Sequence, residues 1–223
     1  MKKKYAIFLC GILLSYIICW ILTPIKALAS VSAISQNDVN FKMEYPRVHL
    51  ENNNLDAEKS INNDIEIYVD KFKQDYYNGE FIDGSFLFLK KYEDDKVISL
   101  MLIDYWYKGG AHGMQHGICL NYSKVTGERI GLPYFLRVRP EDANMIFSLP
   151  IYTSRGKLLD YDSTAHFIKI TKAEKGITDN YVLSGDGSVS LVYQPYELAS
   201  YAAGITYIYI SGKYVDYFNR KNH

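Results

Sequence analysis

The chain has 223 residues, with 25 basic and 25 acidic side chains and 21 tyrosines, a length that supports a real hydrophobic core in one domain or two small ones. The absence of any basic excess argues against nucleic acid as a partner. Of three cysteines only Cys119 lies beyond the N-terminal apolar run, so an internal disulfide is excluded and the fold must be held by its core.

Met1-Lys2-Lys3-Lys4 is a positive start, Tyr5 to Leu22 carries no charge, and Ala27-Leu28-Ala29 follows Pro24 as a small-residue cleavage site. This is the layout of a secretory signal peptide over residues 1–29 and implies an extracytoplasmic protein, whether secreted, periplasmic or on the cell surface. The apolar run is also long enough for an uncleaved anchor, the one reading under which the chain contacts a membrane. The Pro24 and Ala-x-Ala arrangement favours cleavage. Four basic residues and no acid fall in residues 1–29, which leaves the remainder at a formal charge of −4 and weakly favours a basic partner.

Residues 30–40 are small and polar and read as a short tether; residues 41–223 read as a single domain of one or two lobes. Phe41, Met43 and Tyr45 alternate with charges as in a half-buried strand, and Pro46 suggests an edge or a bulge. Asn52-Asn53-Asn54 supplies a helix start, Ile61, Ile65, Tyr68, Phe72 and Tyr76 form its apolar stripe, and Gly79 closes it. Strands are expected at Ser85–Lys91, Val97–Tyr107 and Gly117–Ser123, the second apolar on both faces and therefore central, in an antiparallel meander. Pro140–Phe147 begins like a helix, and a second short helix is expected near Gly156–Tyr161. Asn180–Ser184 and Ser188–Tyr193 flank Gly185-Asp186-Gly187, a strong hairpin signal, and Ile205–Ser211 is a last strand. The fold class is α+β, antiparallel sheet with packed helices.

The segment Tyr107-Lys-Gly-Gly-Ala-His-Gly113 follows the central strand and forces the backbone through conformations reserved for glycine. His112 and His116 are four apart, the spacing of paired zinc ligands on a helix, but four glycines in nine residues oppose a helix and no third ligand is evident, so no metal is expected. No nucleophile elbow, phosphate loop or dinucleotide fingerprint is present, and no cofactor is expected. Cys119, between apolar neighbours in a strand, reads as an inert thiol. The tyrosines near 105–107 and 193–201 suit recognition of proteins or sugars equally well as half-buried strand positions. The candidate binding residues are Tyr105, Tyr107, Gly109, Gly110, His112, His116, Tyr196, Glu197 and Tyr201; no catalytic residue is assigned.

Tyr107-x-Gly-Gly-Ala-His-Gly113, the Thr126-Gly127 turn, Leu132-x-x-Phe135 and Tyr196-Glu-Leu-Ala-x-Tyr-Ala-x-Gly204 together resemble, over residues 40–215, the extracellular domain of RsiV-type anti-sigma factors, which also occurs beside some peptidoglycan deacetylase domains and in exported bacterial proteins of unknown function. That resemblance implies an α+β fold and an extracytoplasmic ligand-binding role, with a lysozyme-like protein as partner; a peptidoglycan fragment is the other partner expected. Ser200 stands where the family block usually has proline. Only Met1–Lys4 precede the apolar run, so the sensor-like domain is expected without a sigma-binding region. The function expected is non-enzymatic binding at the cell envelope. The alternatives are an envelope enzyme acting on peptidoglycan through His112 and a purely structural envelope protein.

Overall fold

The computed structural model describes residues 29–51 and 53–223. The signal or anchor reading of residues 1–29 lies outside them except for Ala29. Among the described residues no helix is long and apolar enough to cross a membrane.

The first sheet follows chain order. Strand β1 is Ala29–Asp38, β2 is Phe41–Leu50, β3 is Asp83–Glu93, β4 is Val97–Tyr107 and β5 is Met114–Ser123, in the order β1-β2-β3-β4-β5. Residues 30–38 are therefore not a tether but an edge strand, antiparallel to β2 from Ala29↔Leu50 to Asp38↔Phe41. Only Ala29 and Val31 pack inward on the core, and the small polar residues between them hide the strand's period.

The sheet is also not wholly antiparallel. β2 and β3 run parallel over Phe41–Met43 and Gly84–Phe86, because the connection between them is a helix that carries the chain back along the sheet. This helix, α1 (Leu55–Tyr77), is capped by Asn54, whose side chain accepts from the Ala57 N–H at 3.3 Å. Ile61, Ile65, Val69 and Phe72 form its buried stripe against Phe41, Phe86, Ile98, Leu100 and Leu102 of the sheet. Beyond the short parallel ladder, α1 satisfies the free side of β2. Asn62 accepts from the Val48 N–H at 2.9 Å and donates to its carbonyl at 2.7 Å, and Glu58 accepts from the Leu50 N–H at 2.9 Å. Pro46 has the same parity as Val48, so its missing N–H falls on that side, where no strand needs it.

The second sheet comprises β6 (Ile151–Thr153), β7 (Tyr181–Leu183), β8 (Val189–Tyr193) and β9 (Thr206–Ile210), ordered β6-β9-β8-β7 and antiparallel throughout. The β7–β8 hairpin turns at Asp186 and Gly187, both with positive φ (61° and 68°), as the Gly-Asp-Gly signal predicts. A 3₁₀ turn at 140–142 runs into α2 (Ala143–Ile146), which ends before Pro150. The short helix expected at 156–161 is displaced. Gly156 forms a turn at φ 77°, and α3 runs instead over Tyr161–Glu174, started by Asp160 accepting from the Ser163 N–H at 2.8 Å. Its buried positions include Thr164 and Thr171, which carry little apolar period. The C-terminal α4 (Gly212–Lys221), not anticipated from the sequence, buries Val215 and Phe218.

The two sheets meet along a seam. Met101 of β4 packs with Val182, Val192 and Ile205, and Cys119, partly buried there, has its thiol pKa pushed up by desolvation. The outer edge of β5 is closed by amide side chains from the second sheet. Gln194 accepts from the Gly117 N–H at 2.8 Å and donates to the Gly117 carbonyl at 2.9 Å, while Asn180 accepts from the Cys119 N–H at 2.9 Å. A bare edge would invite pairing with another chain. Gln194→Leu leaves the Gly117 N–H without its acceptor, while the Asn180 amide still donates to the Gly117 carbonyl at 2.9 Å, and is expected to cost about 1–3 kcal/mol. Urea denaturation checks this; an unchanged midpoint would mean that water takes over the bond to the Gly117 N–H.

Candidate functional site

The Gly-rich connection between β4 and β5 is held from within. Gly109 takes φ 92°, and the Tyr107 hydroxyl donates to the Gly110 carbonyl at 2.9 Å. The Tyr105 ring lies directly over Gly113, where an added Cβ would come within 2.3 Å of it, so the glycine is the seat of the ring. Tyr107, Gly109 and Gly110 thus shape the turn, and Tyr105 and His112 are what it presents.

The second half of the site comes from the segment after β8. Tyr196 has φ 73°, a conformation that bulky residues rarely adopt and that the surrounding contacts must enforce. Glu197 does the enforcing: its carboxylate accepts from the Gln194 N–H at 2.6 Å and pairs with Lys175, and its carbonyl accepts from the Thr171 hydroxyl. Glu197 is a brace, 15% exposed, rather than a presented group.

His112, Tyr196 and Tyr201 come together across these two segments. The His112 imidazole stacks on the Tyr201 ring with centroids 3.9 Å apart and planes at 23°, and the Tyr196 ring lies 5.8 Å from that of Tyr201. His112 Nδ1 is 2.8 Å from the Gly113 carbonyl. A carbonyl can only accept, so Nδ1 carries the hydrogen, and in the neutral ring Nε2 accepts from the Tyr196 hydroxyl at 3.3 Å. Both nitrogens are engaged and the ring is fixed. Desolvation, followed by the neighbouring Tyr105 and Tyr196, pushes the Tyr201 pKa up, so its hydroxyl is a neutral donor at physiological pH.

Tyr105 and Tyr201 line a cleft of about 400 Å³, completed by Gln115 of β5, the turn residues Arg155 and Lys157, and Gly204. Gly204 takes φ 67°, and a Cβ there would meet Gln115 Nε2 at 2.9 Å. The cleft lining contains two cations and no carboxylate. Gln115, Arg155 and Lys157 escape sequence reasoning. A signal for the last two exists in Thr153-Ser-Arg-Gly-Lys157, two cations around a glycine in a turn between strand and helix.

His116 does not join this group. It lies on the opposite face of β5, its backbone N–H donating to Asp104 Oδ1 at 3.0 Å and its ring edge-on to Trp106 with centroids 4.5 Å apart. Burial pushes the Asp104 pKa up, against the opposing pull of His116. Among the described residues no group of three or more His, Cys, Asp or Glu side chains is placed to hold a metal ion.

Two family models match, one described as deacetylase PdaC over residues 34–115 and one described as a protein of unknown function, DUF3298, over residues 155–212. The chain carries a PdaC-like and a DUF3298-like segment. The cleft draws on both: Tyr105 and Gln115 come from the PdaC-like segment, and Arg155, Lys157 and Tyr201 from the DUF3298-like one. No curated protein matches the chain. Among solved structures, a DUF3298 family member from Bacteroides fragilis NCTC 9343 is similar at 13% identity and a TM-score of 0.59, covering 86% of this chain and 94% of that one. A DUF3298 family protein from Pseudomonas aeruginosa PAO1 is similar at 13% identity and a TM-score of 0.55, covering 85% and 93%. At that identity the likeness establishes the α+β fold alone.

Proposed function

We propose that the chain is a non-enzymatic, extracytoplasmic binding domain of the cell envelope, and that the cleft beside His112 and Tyr201 takes a cell-wall glycan. The supporting observation is the pairing of fixed aromatic rings with Arg155 and Lys157 in a cleft that no carboxylate lines. Rings offer sugar faces a flat apolar surface at low entropic cost, and the cations suit the carboxylates of wall saccharides. His112, with both nitrogens engaged, backs the Tyr201 ring rather than acting as a base. The Lys-rich start and Ala27-Leu-Ala29 site support export.

A second reading takes a lysozyme-like protein as partner, as the RsiV-type resemblance implies. The charge of −4 over residues 30–223 favours it. A basic protein would then dock away from the cationic cleft.

Calorimetry with peptidoglycan-derived muropeptides tests the first reading. Tyr201→Ala is expected to weaken binding about tenfold, equivalent to about 1.4 kcal/mol, with thermal stability kept. If the variant bound muropeptides as the parent does, the cleft would not be the site. Binding of a muramidase that ignores Tyr201→Ala would point to the second reading.

A further inference from the structure

We propose that the aromatic cleft is one half of a longer groove along the sheet seam, and that the groove takes a linear saccharide chain bearing carboxylates. This rests on the glycan reading above and adds the ligand's charge and length.

A second cleft, of about 450 Å³, adjoins the first, and the two share Thr153 and Ser154 as a common wall. It is lined by Tyr152, Tyr207 and Tyr209 together with Lys91 of β3. The dividing segment is a fixed, narrow turn. The Thr153 N–H donates to the Lys157 carbonyl at 2.9 Å, the Gly156 N–H to the Thr153 carbonyl at 2.9 Å, and the Ser154 N–H to the Ile205 carbonyl at 3.0 Å. Arg155 and Lys157 stand on one side of it and Gly156 on the other.

The second cleft repeats the chemistry of the first. Lys91 Nζ lies 5.5 Å above the Tyr207 ring, whose hydroxyl donates to Met101 Sδ at 3.3 Å, and Tyr209 is 39% exposed. As in the first cleft, the lining has no Asp or Glu, and Lys91 is its one cation. A chain whose remainder after residue 29 carries −4 thus keeps acids out of both halves of this seam. Aromatic faces alternating with Lys91, Arg155 and Lys157 match a polymer in which sugar rings alternate with negative charges. Two connected subsites make affinity depend on length, since the second contact is made at a high effective concentration once the first has formed.

The test is an NMR and calorimetric titration of the folded protein with hyaluronan di-, tetra- and octasaccharides, chito-oligosaccharides of matched length, and poly(glycerol phosphate). The hyaluronan octasaccharide is expected to bind at least tenfold more tightly than the disaccharide, with affinity falling as salt is raised. Matched neutral oligomers are expected to bind more weakly. Lys91→Ala and Tyr209→Ala, both surface changes, should bring the octasaccharide down towards the disaccharide's affinity, while Tyr201→Ala weakens every length. Tyr201-dependent binding with no length dependence would overturn the groove and leave the single cleft standing. No saccharide binding at all would overturn the groove and the glycan reading together. Equal affinity for chito-oligosaccharides would overturn the anionic assignment, and tighter, Lys91-dependent binding of poly(glycerol phosphate) would overturn the saccharide one.

Discussion

Replacing Lys124 by methionine is expected to remove about 2–3 kcal/mol of stability, the cost of losing charge-assisted hydrogen bonds from a buried site. The Lys124 side chain is fully buried, and its ammonium donates to Glu93 Oε1 at 2.8 Å and to the Asp94 carbonyl at 2.7 Å. Glu93, 9% exposed, also accepts from Lys90 at 2.9 Å and from the Ala29 backbone N–H at 2.5 Å. One carboxylate thus ties together the start of β1, the end of β3 and the turn after β5. Burial pushes the Glu93 pKa up, but the hydrogen bonds from Lys124, Lys90 and Ala29 outweigh it, and the carboxyl sits below its ordinary value. A depressed folded-state pKa contributes stability that is present above the unfolded-state value and lost as pH falls through the folded-state one. The deficit of Lys124→Met relative to the parent should therefore be largest at neutral pH and shrink in acid. Urea denaturation at pH 7 and pH 3.5 checks both points, and a deficit that grew on acidification would contradict the pairing. Adding Glu93→Gln to Lys124→Met should recover part of the loss.

Gly127→Ala is expected to cost about 2–4 kcal/mol, combining a left-handed backbone with overpacking. Gly127 has φ 75°, and an added Cβ would lie 2.6 Å from the Ala57 carbonyl oxygen and 2.7 Å from Ala57 Cα, backbone atoms of α1 that cannot swing aside. The turn after β5 is docked there by design of its polar groups. The Ser60 hydroxyl donates to the Gly127 carbonyl at 3.1 Å and the Asn54 amide to the Val125 carbonyl at 2.7 Å. The Thr126-Gly127 motif therefore belongs to the joint between sheet and helix, not to the ligand site. At this size the loss corresponds to a fall in melting temperature of about 5–15 °C. Gly110→Ala is the control: an added Cβ there meets nothing within 4 Å, and stability should stay within about 0.5 kcal/mol. A similar small effect at Gly127 would mean that α1 can shift away from the turn.

Features encoded locally were legible in the sequence. The stripe Ile61, Ile65, Phe72 marks α1 because it repeats over a helix of 23 residues, and Val97–Leu102 marks β4 as central because both faces are apolar and both are covered. The Asp186-Gly187 hairpin is readable because its turn type demands those residues. Elements whose burial comes from context were not. β1 is held by its ladder to β2, α3 buries threonines, and the parallel pairing of β2 with β3 follows from where α1 sends the chain. The site divides in the same way. The glycine turn that seats Tyr105 is visible in a window of seven residues. The stacking of His112 on Tyr201 and the arrival of Arg155 and Lys157 beside them join positions about forty to ninety residues apart, which no local pattern records. His116, next to Gln115 in β5, is sent to the far face by the strict alternation of a strand.

The order of strands has a temporal consequence. A chain emerging N-terminus first can finish the first sheet once residue 123 is out, because each strand lies beside the one made just before it. The second sheet cannot close that way. Its interior strand β9, which joins β6 to β8, is made last, so β6 waits for a partner some fifty residues further on. Tyr207, Tyr209 and the wall between the two clefts therefore take their places only in a completed molecule, and a product truncated before residue 206 would keep the PdaC-like sheet while lacking the surface proposed to hold ligand.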